Sequence, residues 1–216
     1  MSTEIRPRTR IKVCGITNPD DAAVAVECGA DAIGFIFVVG TPRYIDPDEA
    51  AAIMHALPPF VTAVGVIRDL DVDGFCEIEQ RCPCPLMQLH GKETEKTVAM
   101  CGPGVVKAFK YDGATIASQL SRWARVDEVD ALLVDGGEGG TGEAFDWDAL
   151  ASHLKDYDDK PVIVAGGLDP ENVGVAIRAL RPYAVDVSSG VEAEPGRKDH
   201  AKVAAFIDAV RRADLD

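Results

Sequence analysis

The chain is predicted to fold as a single α/β domain, a (β/α)8 TIM barrel, on three observations. Eight short apolar runs recur along it, at 11–14, 32–38, 61–67, 86–89, 105–109, 131–134, 162–165 and 184–187. Glycine or polar turns and amphipathic stretches with helix-start signals lie between them. No low-complexity linker or break in composition divides the 216 residues. Runs that are apolar at nearly every position suit parallel strands buried on both faces. Eight such alternations in about 200 residues close into a barrel, with a doubly wound open sheet as the alternative.

The elements follow in order. Segment 1–9 is charged and is expected to be a flexible N-terminal extension, leaving 10–216 for the barrel. The first strand ends at Cys14. Asn18-Pro19-Asp20-Asp21 then opens a helix with an N-cap, a proline and acidic first-turn residues. That helix stops at Cys28-Gly29. After the second strand, Asp46-Pro47-Asp48-Glu49 repeats the device, and its helix ends near Pro58-Pro59. Asp169-Pro170-Glu171-Asn172, after the seventh strand, is expected to begin a helix running to about Arg181. Five glycines in residues 136–142 rule out a regular element there. The 136–144 loop is read as a flap over the barrel mouth, with a disordered surface loop as the alternative.

Composition narrows the function classes. The chain is 47% hydrophobic, yet no run approaches the ~18–20 apolar residues of a membrane span. The N-terminus lacks an apolar signal-peptide core, so a cytoplasmic protein with no membrane partner is expected. A formal charge of −14 speaks against nucleic acid, whose phosphates need a basic surface. Acids are spread along the chain, aspartate exceeds glutamate and lysine is scarce. That pattern suggests a surface adapted to high salt, where screening removes self-repulsion. Six cysteines make no disulfide framework in a chain of this length. Cys82-Pro83-Cys84, near Cys76 and Cys101, lacks the spacing of a zinc site, so no metal is expected and these thiols are read as buried or idle.

In a (β/α)8 barrel the chemistry gathers at the C-terminal ends of the strands. Cys14 and Asp135 close the first and sixth strands, and a thiol and a carboxylate there make a candidate acid–base pair. Gly166 and Gly167 follow the seventh strand, and Ser188, Ser189 and Gly190 follow the eighth. Two such turns at this address suit a phosphate. Arg43, after the second strand, has the fork to grip a carboxylate at the mouth. His90, at the end of the fourth, is a ligand contact or a hydrogen-bonded structural histidine. Asp186 lies within the apolar eighth strand, where an unpartnered carboxylate is costly, so it faces a partner or the site.

These motifs closely resemble the phosphoribosylanthranilate isomerase family. The matching segments are KVCGIT (12–17), GADAIGFIF (29–37), PRYI (42–45), QLHG (88–91), LLVD (132–135), GGTG-x-x-FDW (139–147), AGGLDPENV (165–173), AVDVSSGVE (184–192) and PG-x-KD (195–199). They span nearly the whole chain in family order. The resemblance implies an Amadori rearrangement of N-(5-phosphoribosyl)anthranilate in tryptophan biosynthesis. It implies Asp135 as the general acid that opens the furanose ring and Cys14 as the general base that takes the C2′ proton. It implies Arg43 on the anthranilate carboxylate and the two glycine turns on the phosphate. No metal, nicotinamide or flavin cofactor is implied, and the fold suits a monomer or a homodimer. For the pair to work, desolvation is expected to keep Asp135 protonated, and a nearby positive dipole end to favour the Cys14 thiolate. Lys12 shares the strand face of Cys14 and is placed to assist. Thr41, Ile67 and Glu143 depart from the family pattern without touching the acid–base pair. A related barrel with a lysine acid or paired aspartates fits less well, and a ligand-sensing barrel would have no need of both catalytic residue types.

Overall fold

The computed structural model describes residues 8–136, 147–155 and 157–215. Its strands are β1 (Arg10–Cys14), β2 (Ala32–Ile36), β3 (Thr62–Ile67), β4 (Leu86–Leu89), β5 (Val105–Lys110), β6 (Val129–Asp135), β7 (Val162–Ala165) and β8 (Ala184–Val187). They pair in parallel in sequence order, and β8 returns to β1, so the sheet is a closed barrel and the open-sheet alternative falls away. The helices between and after them are α1 (Pro19–Cys28), α2 (Pro47–Ala56), α3 (Val72–Arg81), α4 (Glu95–Cys101), α5 (Ile116–Ala124), α6 (Trp147–Leu154), α7 (Val173–Leu180) and α8 (His200–Ala213). A short antiparallel pair, β9 (Glu192–Glu194) and β10 (Arg197–Lys198), lies between β8 and α8.

Local chemistry sets the helix boundaries. The Asn18 and Asp46 side chains accept from the Asp21 and Asp48 amides, each ahead of a first-turn proline. Gly29 ends α1 in the left-handed region, which a side chain would disfavour. The third device makes the same bonds: Asp169 accepts from the amides of Glu171 and Asn172, and its carbonyl accepts from the Val173 N–H, while regular α7 starts at Val173. The N-terminal boundary also shifts. The Thr9 amide and hydroxyl both donate to Asp214, and Arg8 pairs with Asp31. Barrel contacts therefore reach two residues into the segment assigned to the extension, and residues 1–7 lie outside the described ones. So does the expected flap, from residue 137 onward.

Alternation along the strands builds two layers. Ile11, Val13, Ile33, Phe35, Leu132, Val134, Val185 and Val187 face the helices and join the main apolar core. Val106, Ala108, Ala131, Leu133, Ile163, Ala165 and Ala184 pack within the barrel. Each fully buried large side chain contributes roughly 1.5–3 kcal/mol, enough to make the closed sheet rigid. The small interior residues leave room above them for the buried polar side chains of Lys12, Gln88 and Asp186. Among the described residues no helix is long and apolar enough to cross a membrane.

A buried ion pair fixes the rim beside β4. The side chains of Lys107 and Glu93 are 2% and 1% exposed and meet at 2.8 Å. Lys107 also donates to the carbonyls of Leu89, Gly91 and Ala108, while Glu93 accepts from the amides of Asp69 and Gly91. The pair thus clamps the loops on both sides of His90. Truncating Glu93→Ala would strand the Lys107 ammonium away from water, and a loss of about 3–5 kcal/mol in urea unfolding is expected. A loss below about 1 kcal/mol would assign the rim's rigidity to packing alone.

Candidate active site

Strand ends deliver the polar groups to one mouth. Cys14 and Lys12 share the inner face of β1, and Asp186 stands opposite Lys12 on β8 in direct register. Lys12 Nζ lies 2.9 Å from Asp186 Oδ1, both buried. Burial alone would strip the proton from Lys12, but Asp186 and Cys14 beside it outweigh burial and hold its pKa above the ordinary lysine value. Burial dominates at the other two groups. It raises the Asp186 carboxyl against the pull of Lys12, and raises the Cys14 thiol against the pull of Lys12 and Lys198. The expectation of a ready-made Cys14 thiolate is therefore corrected: Asp186 absorbs much of the Lys12 charge, and desolvation prevails.

Glycines shape the space around the thiol. Cys14 pairs in register with Gly34 on β2, and a Cβ there would sit 2.7 Å from Cys14 Sγ. At Gly15, in the left-handed region, a Cβ would meet Arg43 Cδ at 2.9 Å and Ser188 Oγ at 3.1 Å. Arg43 and Ser188 are thus packed against the end of β1.

Asp135 ends β6, with its side chain 24% exposed and His90 Nε2 3.4 Å from Oδ2. The seclusion from water expected for this carboxyl is thus only partial. His90 Nδ1 meets the Gln88 amide nitrogen at 2.9 Å. With that amide as donor, Nδ1 accepts and the ring proton sits on Nε2, directed at Asp135. Lys110 on β5 stands in register with Asp135.

The two glycine turns come together as one unit. Gly166 and Gly167 both adopt positive φ, at 88° and 66°. A Cβ on Gly190 would overlap the Leu168 carbonyl oxygen, so the turn after β8 rests directly on the turn after β7. Ser188 Oγ is buried with no protein hydrogen-bond partner among the described residues, and Ser189 is exposed beside it. A buried hydroxyl left over in such a turn suits a ligand oxygen.

Arg43 departs from expectation. Its Nε and Nη2 grip the carboxylate of Glu192 at 2.8 and 2.7 Å, so the fork is turned onto the chain's own acid. Lys198 Nζ reaches the same carboxylate at 2.9 Å and the Ser188 carbonyl at 3.2 Å. Glu192 and Lys198 are site residues that sequence reasoning passed over. Both stand inside matched motif segments, at the end of AVDVSSGVE and in PG-x-KD, but neither spacing nor residue type revealed that they hold Arg43.

Three comparisons bear on this arrangement. Residues 11–209 match the family described as N-(5′-phosphoribosyl)anthranilate (PRA) isomerase. A relative of that name from Pseudomonas fluorescens (strain Pf0-1) is 48% identical over 206 residues, covering 94% of this chain and 98% of its own length. Phosphoribosyl anthranilate isomerase from Thermus thermophilus superposes with a TM-score of 0.84 at 38% identity, over 94% of this chain and 99% of that one. A third, solved with reduced 1-(o-carboxyphenylamino)-1-deoxyribulose 5-phosphate, gives 0.83 at 36% identity, over the same 94% and 99%.

The contact between Gly34 and Cys14 has a direct test. Gly34→Ala is expected to displace the thiol and lower kcat/KM about 10²-fold, the usual cost of roughly 1 Å of misplacement. Inhibition by inorganic phosphate should stay unchanged, since Gly34 lies on β2, away from the turns after β7 and β8. Retained activity would mean that the thiol's position is not critical.

Proposed function

The chain belongs to the N-(5′-phosphoribosyl)anthranilate isomerase family, and on that premise we propose that Asp135 and Cys14 are its general acid and general base. The reaction is the rearrangement of N-(5-phosphoribosyl)anthranilate to 1-(2-carboxyphenylamino)-1-deoxyribulose 5-phosphate, a step of tryptophan biosynthesis. It is an intramolecular redox exchange: C1′ of the sugar is reduced as C2′ is oxidised. One observation carries the assignment of roles. Cys14 and Asp135 stand on β1 and β6, and the touching turns of β7 and β8 lie between them in the ring of strands.

In this reading Gly166, Gly167, Ser188, Ser189 and Gly190 hold the phosphate, with Ser188 Oγ as one donor. Arg43 meets the anthranilate carboxylate through Nη1, the nitrogen outside its pair with Glu192. Asp135 gives its proton to the furanose oxygen, the C1′–O bond breaks, and the substrate nitrogen takes up the positive charge as a Schiff base. His90 orients the Asp135 carboxyl. Cys14 then removes the C2′ proton, and the electrons of that bond neutralise the nitrogen to give an enolamine. Proton delivery to C1′, with loss of the C2′ hydroxyl proton, yields the ketone. The substrate nitrogen is the electron sink, so the chemistry calls for no cofactor. Asp186 lines the floor and keeps Lys12 beside the thiol. A cytoplasmic setting suits both the substrate and the free thiols.

Loss of substrate fluorescence tests the roles. Cys14→Ala and Asp135→Asn should each reduce turnover about 10²-fold or more. The acidic surface adds an arm to the same assay. Added salt should raise kcat/KM of the wild type, by screening repulsion between an anionic substrate and a −14 chain. Folded wild type with no turnover would redirect the search to ligand sensing.

The pH dependence follows from burial of the base. Cys14 must be a thiolate to act, and a raised pKa moves the fraction of thiolate to higher pH. The rising limb of kcat/KM is therefore expected above the ordinary thiol value of about 8.5. Lys12→Met removes the cation that opposes burial, so the limb should move further up. A limb below about pH 7 in the wild type, unmoved in the variant, would assign the base to another group.

A further inference from the structure

The isomerase chemistry leaves Cys82-Pro83-Cys84 unused. The Cys82 N–H ends α3 by donating to the Ile78 carbonyl at 2.8 Å. Two residues on, the Cys84 N–H donates back to the Cys82 carbonyl at 2.8 Å. That bond closes a three-residue γ-turn, and the ring of Pro83 at its centre holds φ near the value the turn uses. The turn sets both thiols side by side, with their sulfurs 3.6 Å apart and no disulfide between them. Cys82 is fully buried and Cys84 is 7% exposed, while Pro83 and Pro85 around them are exposed. The turn enters β4 at Leu86, at the opposite end of the barrel from Cys14.

We propose that Cys82 and Cys84 are a reversible dithiol–disulfide site that closes within the turn under a peroxide. The two sulfurs are already in contact, 3.6 Å apart. Either sulfur can donate in this contact; with Cys84 as the donor, the contact favours the Cys82 thiolate and, with burial, raises Cys84. In that arrangement Cys82 is the attacking sulfur and Cys84 the resolving one. The Cys82 thiolate attacks a peroxide oxygen, the O–O bond breaks, and the leaving hydroxide takes a proton to become water. The resulting sulfenic acid is attacked by the Cys84 sulfur. The S–S bond forms as the S–O bond breaks, and a second water departs with the Cys84 proton. Two thiols lose two electrons in total, and the peroxide gains them. The exposed Pro83 and Pro85 mark the side nearest solvent, where Cys84 is 7% exposed, and a dithiol reductant reverses the step.

Peptide mass analysis tests this on the full folded chain. The protein is treated with dilute hydrogen peroxide, unfolded, alkylated with iodoacetamide and digested with trypsin. Cleavage after Arg81 and Lys92 releases residues 82–92, which contain Cys82 and Cys84 and no other cysteine. The expected product is that peptide unalkylated and lighter by two hydrogens, whether or not Met87 has gained an oxygen. Dithiothreitol before alkylation should return it to the doubly alkylated form, and the peptides carrying Cys76 and Cys101 should stay alkylated throughout. Cys84→Ser should stop the reaction at a Cys82 sulfenic acid that dimedone captures. The proposal is overturned if residues 82–92 remain doubly alkylated while other cysteines oxidise. It is equally overturned if they pass straight to sulfinic or sulfonic acid.

Discussion

The ion pair between Lys12 and Asp186 sits on the seam where the last strand meets the first. Its two partners face each other in register across β1 and β8, so the contact exists only in a closed barrel. Two charges taken out of water are worth keeping only when each satisfies the other, and here the pair also conditions the thiol two residues along. A lysine left alone beside Cys14 would drive the thiol toward its anion. Tied to Asp186, it tempers the effect of burial without reversing it. Burial thus holds the Cys14 thiol above the ordinary thiol range despite the lysine beside it.

Around that seam, function is distributed by exclusion as much as by contact. Gly34 is absent volume reserved for a sulfur, and Gly190 is absent volume reserved for a neighbouring carbonyl. Glu192 takes one edge of Arg43 and Lys198 braces the same carboxylate, so the arginine is held in place before any ligand arrives. On the far side, the Gln88 amide nitrogen meets His90 Nδ1, and His90 Nε2 faces Asp135. Pre-positioned groups of this kind need no reorganisation at the moment of reaction, which is where enzymes gain most of their electrostatic advantage.

The barrel was legible in the sequence because its signals are local. Apolar runs fell on all eight strands, and Asn18 and Asp46 announced their helices through side chains that reach only two or three residues. Asp169 works in the same local way, accepting from the Glu171 and Asn172 amides, and only the start of regular helix, at Val173, lies later than its residue types suggest. Long-range pairings left no such trace. Arg43 and Glu192 are far apart in the chain, and an arginine with a carboxylate-gripping fork gives no sign of which carboxylate it holds. Lys107 read as part of an apolar run because a buried lysine, once paired with Glu93, occupies a core position like any long aliphatic stem.

The clasp between Thr9 and Asp214 has a meaning of its own. Thr9, just ahead of β1, and Asp214, just after α8, are fastened to each other by two hydrogen bonds, at the side of the molecule where the seam already joins β1 to β8. In space the polypeptide is a ring with a nick in it. Position along the chain therefore carries little architectural privilege: the first and last elements are neighbours as intimate as any consecutive pair. Opening such a molecule at another loop and rejoining it here would leave these contacts in place, because the covalent break and the structural boundary are different things.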